Sequence, residues 1–389
     1  MLYFDHAATS WKKPPEVLSA VMRAMTEAGG NPGRSAHPLS LRAAEGIFAA
    51  RETAAHLFRA PEPENVLFYP NATYALNTVL HGICPRTDGR EVHVLISGME
   101  HNAVLRPLHA LRERGVVSDT FPVFSDDGTV LPDAELLGGI RARLRENTVL
   151  VCACHVSNVC GAALPAGKIG ALCASRGIPF LLDASQSAGV WDIDMERDGI
   201  DYLCTAGHKA LLGPQGSGML VLGRRARIPV SLVQGGNGVQ SLSPEMPDFL
   251  PEALEAGTLA TPAVFGLDAG MRVLLRTGID TVRGECFALY DRLKTMLCET
   301  RGITVYGRNI PVGTTISFNI DGMACSDTAE RLAAHSVCVR SGYHCTSGPH
   351  AAFGTLGTGT VRISVGYGNR LSDADAFYRA LSGVLKERV

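Results

Sequence analysis

Short apolar runs separated by helix-patterned stretches set the rhythm of the first two thirds of the chain. Runs at 66–68, 92–96, 149–154, 180–182, 202–204 and 219–222 are nearly free of polar residues, as strands buried on both faces are. Between them, segments such as 43–58 and 103–114 carry the spacing of amphipathic helices. Strand and helix in alternation predict a mainly parallel sheet covered on both sides. After Gly257-Thr258-Leu259-Ala260-Thr261-Pro262 the texture changes to a long helical stretch, followed by 315–320 and 361–365, which alternate like half-exposed strands. The expected fold is therefore α/β. A large domain spans 14–256, and a smaller α+β domain forms from 257–389 together with 1–13. No internal repeat, low-complexity tract or flexible linker stands out.

Composition narrows the function without naming it. The 389 residues are 46% hydrophobic and 19% charged, with formal net charge −2, enough chain for a large core. Near-neutral charge without a basic run argues against nucleic acid or an anionic membrane as partner. Met1-Leu2-Tyr3-Phe4-Asp5 carries no basic region before a long apolar one, and no apolar span reaches membrane length, so the cytoplasm is expected. Eleven cysteines, an odd number lying mostly in apolar segments, suggest reduced thiols and no disulfide framework. Cys152, Cys154 and Cys160 lack a second paired-cysteine knuckle or spaced histidine pair, so no metal site is expected.

Candidate chemistry sits at the ends of the apolar runs. Lys209 closes Thr205-Ala206-Gly207-His208-Lys209 behind one run, where a partly desolvated amine can form a Schiff base with an aldehyde cofactor. Asp183 ends another, with Gln186 three residues on; it can pair with a ring nitrogen, or, taken alone, serve equally well as a helix cap. Pyridoxal 5'-phosphate needs both groups, a lysine for the imine and an acid that keeps the pyridine nitrogen protonated. Asn71-Ala72-Thr73 opens a helix expected to begin near Tyr74, where backbone amides and the Thr73 hydroxyl favour an anion; Thr73 as a plain helix cap fits comparably. The glycine-rich 213–218 stretch lacks the Lys-Ser or Lys-Thr ending of a nucleotide loop. Cys345 lies among turn-formers in Arg340-Ser341-Gly342-Tyr343-His344-Cys345-Thr346-Ser347-Gly348, where a thiol can act as a nucleophile.

On these residues the chain resembles the class V aminotransferase superfamily, and within it the cysteine desulfurases, over nearly its whole length. Tyr3-Phe4-Asp5-His6-Ala7-Ala8-Thr9 is similar to the family's opening strand and substrate-side turn. Glu100-His101-Asn102-Ala103 resembles the motif whose histidine stacks on the pyridine ring. His155-Val156-Ser157-Asn158 resembles the one whose asparagine, joined by Gln186, reaches the cofactor's phenolate oxygen. Gly207-His208-Lys209 is similar to the Schiff-base motif, with His208 near the phosphate. Glu255-Ala256-Gly257-Thr258 looks like the segment that reaches the phosphate of a neighbouring subunit. The loop at Cys345 is similar to that of the second, SufS-like group, and Arg362 matches the arginine that holds the substrate carboxylate. Two positions depart from the pattern. Tyr343-His344 stands where the SufS-like group has two histidines, and Ala72 or Ala206 where a hydroxyl is usual, which leaves the phosphate to Thr73, Thr205 or backbone amides.

The resemblance implies the fold type I architecture of enzymes that use pyridoxal phosphate, and a homodimer. It also implies conversion of L-cysteine to L-alanine, with a persulfide formed on Cys345 and passed to an acceptor protein. In that reading Lys209 moves the α proton, His101 stacks on the ring and relays a proton, and Ala7, Asn158 and Arg362 face the substrate. A cation such as Arg340 or a protonated His344 would favour the Cys345 thiolate. A selenocysteine lyase or another carbon–sulfur lyase on the same cofactor remains the alternative. A cofactor-binding protein without turnover is disfavoured by the completeness of the residue set.

Overall fold

The computed structural model describes residues 1–33, 36–84 and 91–387. The chain begins β1 (Leu2–Tyr3), α1 (Pro15–Thr26), α2 (Pro38–Phe58), β2 (Val66–Tyr69), α3 (Ala72–Ile83), β3 (Val92–Ser97), α4 (Asn102–Leu111) and β4 (Val116–Phe121). It continues α5 (Asp133–Arg141), β5 (Thr148–Cys154), α6 (Ala166–Ser175), β6 (Phe180–Asp183), β7 (Tyr202–Ala206) and β8 (Gly218–Leu222). Then come α7 (Thr261–Thr277), α8 (Ile279–Glu299), β9 (Ile303–Tyr306), β10 (Thr315–Ile320) and α9 (Cys325–Ala334). The last elements are β11 (Val337–Cys338), β12 (Arg340–Gly342), α10 (Gly348–Ala352), β13 (Thr360–Ser364) and α11 (Asp373–Lys386).

Seven strands form the main sheet in the order β2-β8-β7-β6-β5-β3-β4. Neighbours run parallel except at β8, which is antiparallel to both β2 and β7. Two reversals about β8 leave β2 pointing the same way as β7. The carboxyl ends of β2, β3, β5, β6 and β7 therefore share one edge, where ligands of open α/β sheets bind. β5 to β8 are apolar because helices cover both faces, and all their residues but Val149 are buried. β4 is an edge strand whose sequence, Val-Val-Ser-Asp-Thr-Phe, is too polar to read as an apolar run.

The second sheet is antiparallel, β12-β13-β10-β9, and β1 pairs with β11 beside it. A bridge from Asp5 to Ser364 ties the start of the chain to β13. The expectation that β10 and β13 are half-exposed is overturned: all of β13 is buried, and all of β10 but Asn319. Their period is that of strands, but the polar face meets protein and not water. Ser317 Oγ donates to Val159 O at 2.6 Å, Arg362 Nη1 to Asn158 O at 3.1 Å, and Ser364 Oγ accepts the Ala7 amide at 2.8 Å. The apolar face packs under the helices, Phe318 edge-on to Phe377 of α11. This polar seam is where the two sheets share a site.

One buried ion pair anchors the main sheet to the 224–257 segment. Arg51 on α2 makes a two-pronged contact with Glu255, at 3.0 and 2.6 Å, and also donates to Val66 O. Glu255 Oε1 in turn accepts the Phe68 amide at 2.7 Å. Breaking such a pair costs about 3–5 kcal/mol, because the remaining charge stays buried without a partner. Glu255→Ala is expected to lower unfolding stability by that amount in urea titration; a loss below about 1 kcal/mol would remove the pair from any anchoring role.

Candidate active site

Asp183 ends β6 with only 4% exposure, and its Oδ1 accepts the Ser185 amide at 2.9 Å. Lys209 follows β7 by three residues, half-buried and facing a cavity of about 180 Å³. Its turn is held from the N-terminal segment. Ser10 Oγ donates to Lys209 O at 2.7 Å, and Lys13 Nζ to His208 O at 2.8 Å. Burial pushes the Lys209 ammonium below its usual value; Asp183 pulls it back up, while Arg362 and Arg340 push it further down. A larger share of neutral amine results, which proton abstraction by a lysine needs.

His101 caps α4, its Nδ1 accepting the Ala103 amide at 3.0 Å, so the ring proton sits on Nε2. Burial lowers its affinity for a second proton, and Asp183 opposes. His208 bonds Thr9 Oγ1 through Nδ1 at 3.1 Å and is pushed down to about 4, by burial first and then by Lys209 and Lys13. Both imidazoles face the cavity as neutral rings. Beneath them Glu100, 2% exposed, accepts the Ser97 hydroxyl at 2.5 Å and the Cys154 amide at 2.6 Å. Burial raises its carboxyl to about 8, with the Asp183 charge adding to the shift. This buried acid was named in the sequence only as part of the His101 motif.

The opposite wall is the start of α3. Asn71 caps that helix, its Oδ1 accepting the Tyr74 amide at 3.1 Å, so the cap is not Thr73 and the helix begins two residues earlier than expected. Ala72 is buried against the cavity and Thr73 is exposed at its rim. Gly218 permits this approach, because a Cβ there would meet the Asn71 carbonyl carbon at 2.5 Å. Thr205 is not brought to the cavity. Strand alternation turns it away from Ala206, which lines the wall, and its sealed hydroxyl donates to Ala184 O at 3.4 Å. Thr258 stands apart and exposed, lining a different hollow with Asn31 and Arg51. Gln186 reaches the cavity and donates to Ala7 O at 2.9 Å.

The second sheet supplies the rest. Arg362, 1% exposed, gives Nη2 to Asp5 Oδ1 at 2.7 Å and leaves its Nε–H without a partner. Asn158 lines the cavity; its Nδ2 donates to His344 O at 2.6 Å and its buried Oδ1 has no partner. Two orphaned polar atoms at a polar seam are what a missing polar ligand would satisfy. Cys345 is exposed, and its carbonyl accepts the Asn102 amide next to His101 at 2.9 Å. Thr346 Oγ1 donates to Glu100 O at 2.9 Å. The cation beside the thiol is Arg340, with Nη2 3.8 Å from Sγ. His344 is not one. It is 3% exposed and pushed down to about 2, by burial first and then by Arg362, His350 and Arg340, so it is neutral.

A class-V aminotransferase profile matches residues 2–377. The chain belongs to this family. A probable cysteine desulfurase of Methanothermobacter thermautotrophicus is 33% identical over 375 residues, covering 95% of this chain and 90% of that protein. The cysteine desulfurase IscS of Vibrio atlanticus is 30% identical, covering 89% and 81%. The apo structure of the cysteine desulfurase from Thermococcus onnurineus NA1 superposes with TM-score 0.90 at 28% identity, over 99% of this chain and 95% of that one. The Escherichia coli cysteine desulfurase CsdA, as its S-sulfonic acid, superposes with TM-score 0.86 at 26% identity, over 99% and 94%.

Within this class-V aminotransferase the thiols separate by environment. Cys84, Cys173 and Cys286 are pushed up to about 12 by burial, and burial likewise holds Cys152, Cys154 and Cys204 well above the usual thiol value. Only Cys345 of the eleven is exposed. Limited iodoacetamide treatment of the native protein followed by peptide mass spectrometry is expected to mark Cys345 first; prior labelling of any buried cysteine would contradict this arrangement.

Proposed function

We propose that the chain is a cysteine desulfurase that uses pyridoxal 5'-phosphate and passes sulfur from L-cysteine through Cys345. The observation that carries this is the docking of the Cys345 loop directly onto the two segments that line the cavity, through the Asn102 amide and the Asn158 side chain. The residues fit the cofactor. Lys209 and Asp183 line one cavity with the neutral His101 ring, and the amides at the start of α3 supply the anion end. When bound there, the cofactor supplies an electron sink that weakens bonds at the substrate's α and β carbons.

The chain's own residues do the rest. Arg362 holds the substrate carboxylate through its free Nε–H, a directional contact that a lysine point charge does not reproduce. Lys209 as free amine accepts the α proton and returns it, and Asp183 opposite keeps the ring nitrogen protonated. Cys345 Sγ, as thiolate beside Arg340, attacks the substrate sulfur. A sulfur–sulfur bond forms and the carbon–sulfur bond breaks. Its electron pair stays with the three-carbon fragment, which takes up a proton and leaves as L-alanine. Thiol and cysteine thus become persulfide and alanine, with no outside oxidant or reductant. An acceptor protein then removes the sulfur from the exposed thiol. Thr258, exposed and away from this cavity, is assigned to the phosphate of a second subunit in a homodimer.

Brief incubation of the cofactor-loaded protein with L-cysteine is expected to add one sulfur to the Cys345 peptide and to release alanine. Cys345→Ala should lose persulfide while keeping the cofactor's yellow absorbance; turnover that survives the substitution would favour a selenocysteine lyase or another carbon–sulfur lyase. Arg362→Lys keeps the charge but loses the directional Nε–H, so KM for L-cysteine is expected to rise at least about tenfold in steady-state assays. An unchanged KM would place the carboxylate elsewhere.

A further inference from the structure

His344 and Cys345 are consecutive non-glycine residues at φ 53° and 60°, in the left-handed region that side-chain-bearing residues avoid. Glycine would relieve Cys345 but would remove the thiol. Something must hold this turn, and the structure shows what grips it. The His344 carbonyl accepts Asn158 Nδ2 at 2.6 Å, and the buried His344 ring contacts Thr360 Oγ1 through Nε2 at 3.1 Å.

The hydroxyls behind the ring fix its protonation. Ser317 Oγ donates to Val159 O at 2.6 Å, so it accepts from Thr360 Oγ1 at 3.2 Å. Thr360 has then used its one proton and must accept from His344. The ring therefore carries its proton on Nε2 and ends a directed chain from His344 through Thr360 and Ser317 to Val159, next to Asn158. His350, fully buried, lies 5.8 Å from the His344 ring at 30°, so the imidazole has little room to turn.

We propose that His344 is a positioning residue: its ring, donating from Nε2 to Thr360, together with its carbonyl on Asn158, locks the left-handed turn that presents Cys345 Sγ to the substrate sulfur. The inference rests on the desulfurase reading. It concerns how the nucleophile is aimed, and not the Arg340 guanidinium 3.8 Å from its sulfur.

Three variants test it in the cofactor-loaded enzyme. His344→Leu fills the space without a donor, Thr360→Val removes the acceptor, and His344→Gln places an amide donor close to the Nε2 position. Leu and Val should slow persulfide formation on Cys345 at least about tenfold while KM for L-cysteine and cofactor absorbance stay within about twofold of wild type. Gln should recover at least about a third of the wild-type rate. Independently of activity, hydrogen exchange at the Asn102 and Thr346 amides, which bond the Cys345 and Tyr343 carbonyls, should speed up in the Leu and Val variants and return towards wild type with Gln. Unchanged persulfide rates and exchange in His344→Leu would overturn the proposal, as would a Gln variant no better than Leu. Should His344→Leu fail to fold, Thr360→Val alone decides: wild-type rates and exchange there overturn it, and slowed persulfide formation with faster exchange supports it. A wild-type enzyme that forms no persulfide from L-cysteine would instead bring down the desulfurase reading itself.

Discussion

Desolvation at one edge of the seven-stranded sheet is the constraint on which the site depends. Five of the strands that end there deliver ionisable or polar groups into one partly desolvated cavity. A charge in that setting is costly unless answered, and most of the ionisable groups there are pushed towards neutral forms. Lys209, His101 and His208 are driven towards their neutral forms and Glu100 towards its protonated one. Arg362 stays charged against Asp5. The same physics that makes these groups expensive to bury makes Lys209 useful, since the neutral amine is the form that accepts a proton.

The second sheet adds directionality. Its polar face, turned inward, brings Arg362 to Asn158 and brings Ser317, Thr360 and His344 into a single hydrogen-bonded run. The proposed nucleophile is therefore held by both sheets at once. Its loop touches the exit of β3 through Asn102 and the exit of β5 through Asn158. An exposed thiol on a turn fixed from below can meet both a substrate in the cavity and an acceptor from outside.

Much of this was legible in the chain, for a physical reason. A buried strand needs apolar residues on both faces, so β5, β6 and β7 announce themselves, and the polar residue that ends such a run marks the sheet edge where ligands bind. Asp183 and Lys209 were found in this way. Cys345 stands out as a thiol among turn-formers, and the resemblance to a family then gave it a role and supplied Arg362, which no periodicity singles out. What a pattern of twos and threes does not reveal is what each face meets. β10 and β13 alternate, yet their polar side faces protein; Thr205 carries a hydroxyl, yet the strand turns it from the cavity. His344 looks like a possible cation in a loop, but its charge is decided by burial against residues distant in sequence. Arg51 gave no local signal at all, because its partner lies 204 positions away.

A crystal structure of the protein loaded with pyridoxal phosphate tests the central claim most directly, because that claim is geometric: one desolvated cavity brings Lys209, Asp183 and the start of α3 onto a single small molecule. The account predicts density continuous from Lys209 Nζ, a carboxylate oxygen of Asp183 within hydrogen-bonding distance of the ring nitrogen, and the phosphate against the amides of Ala72 and Thr73. A cofactor bound elsewhere, or bound there without contact to Lys209 and Asp183, would contradict it.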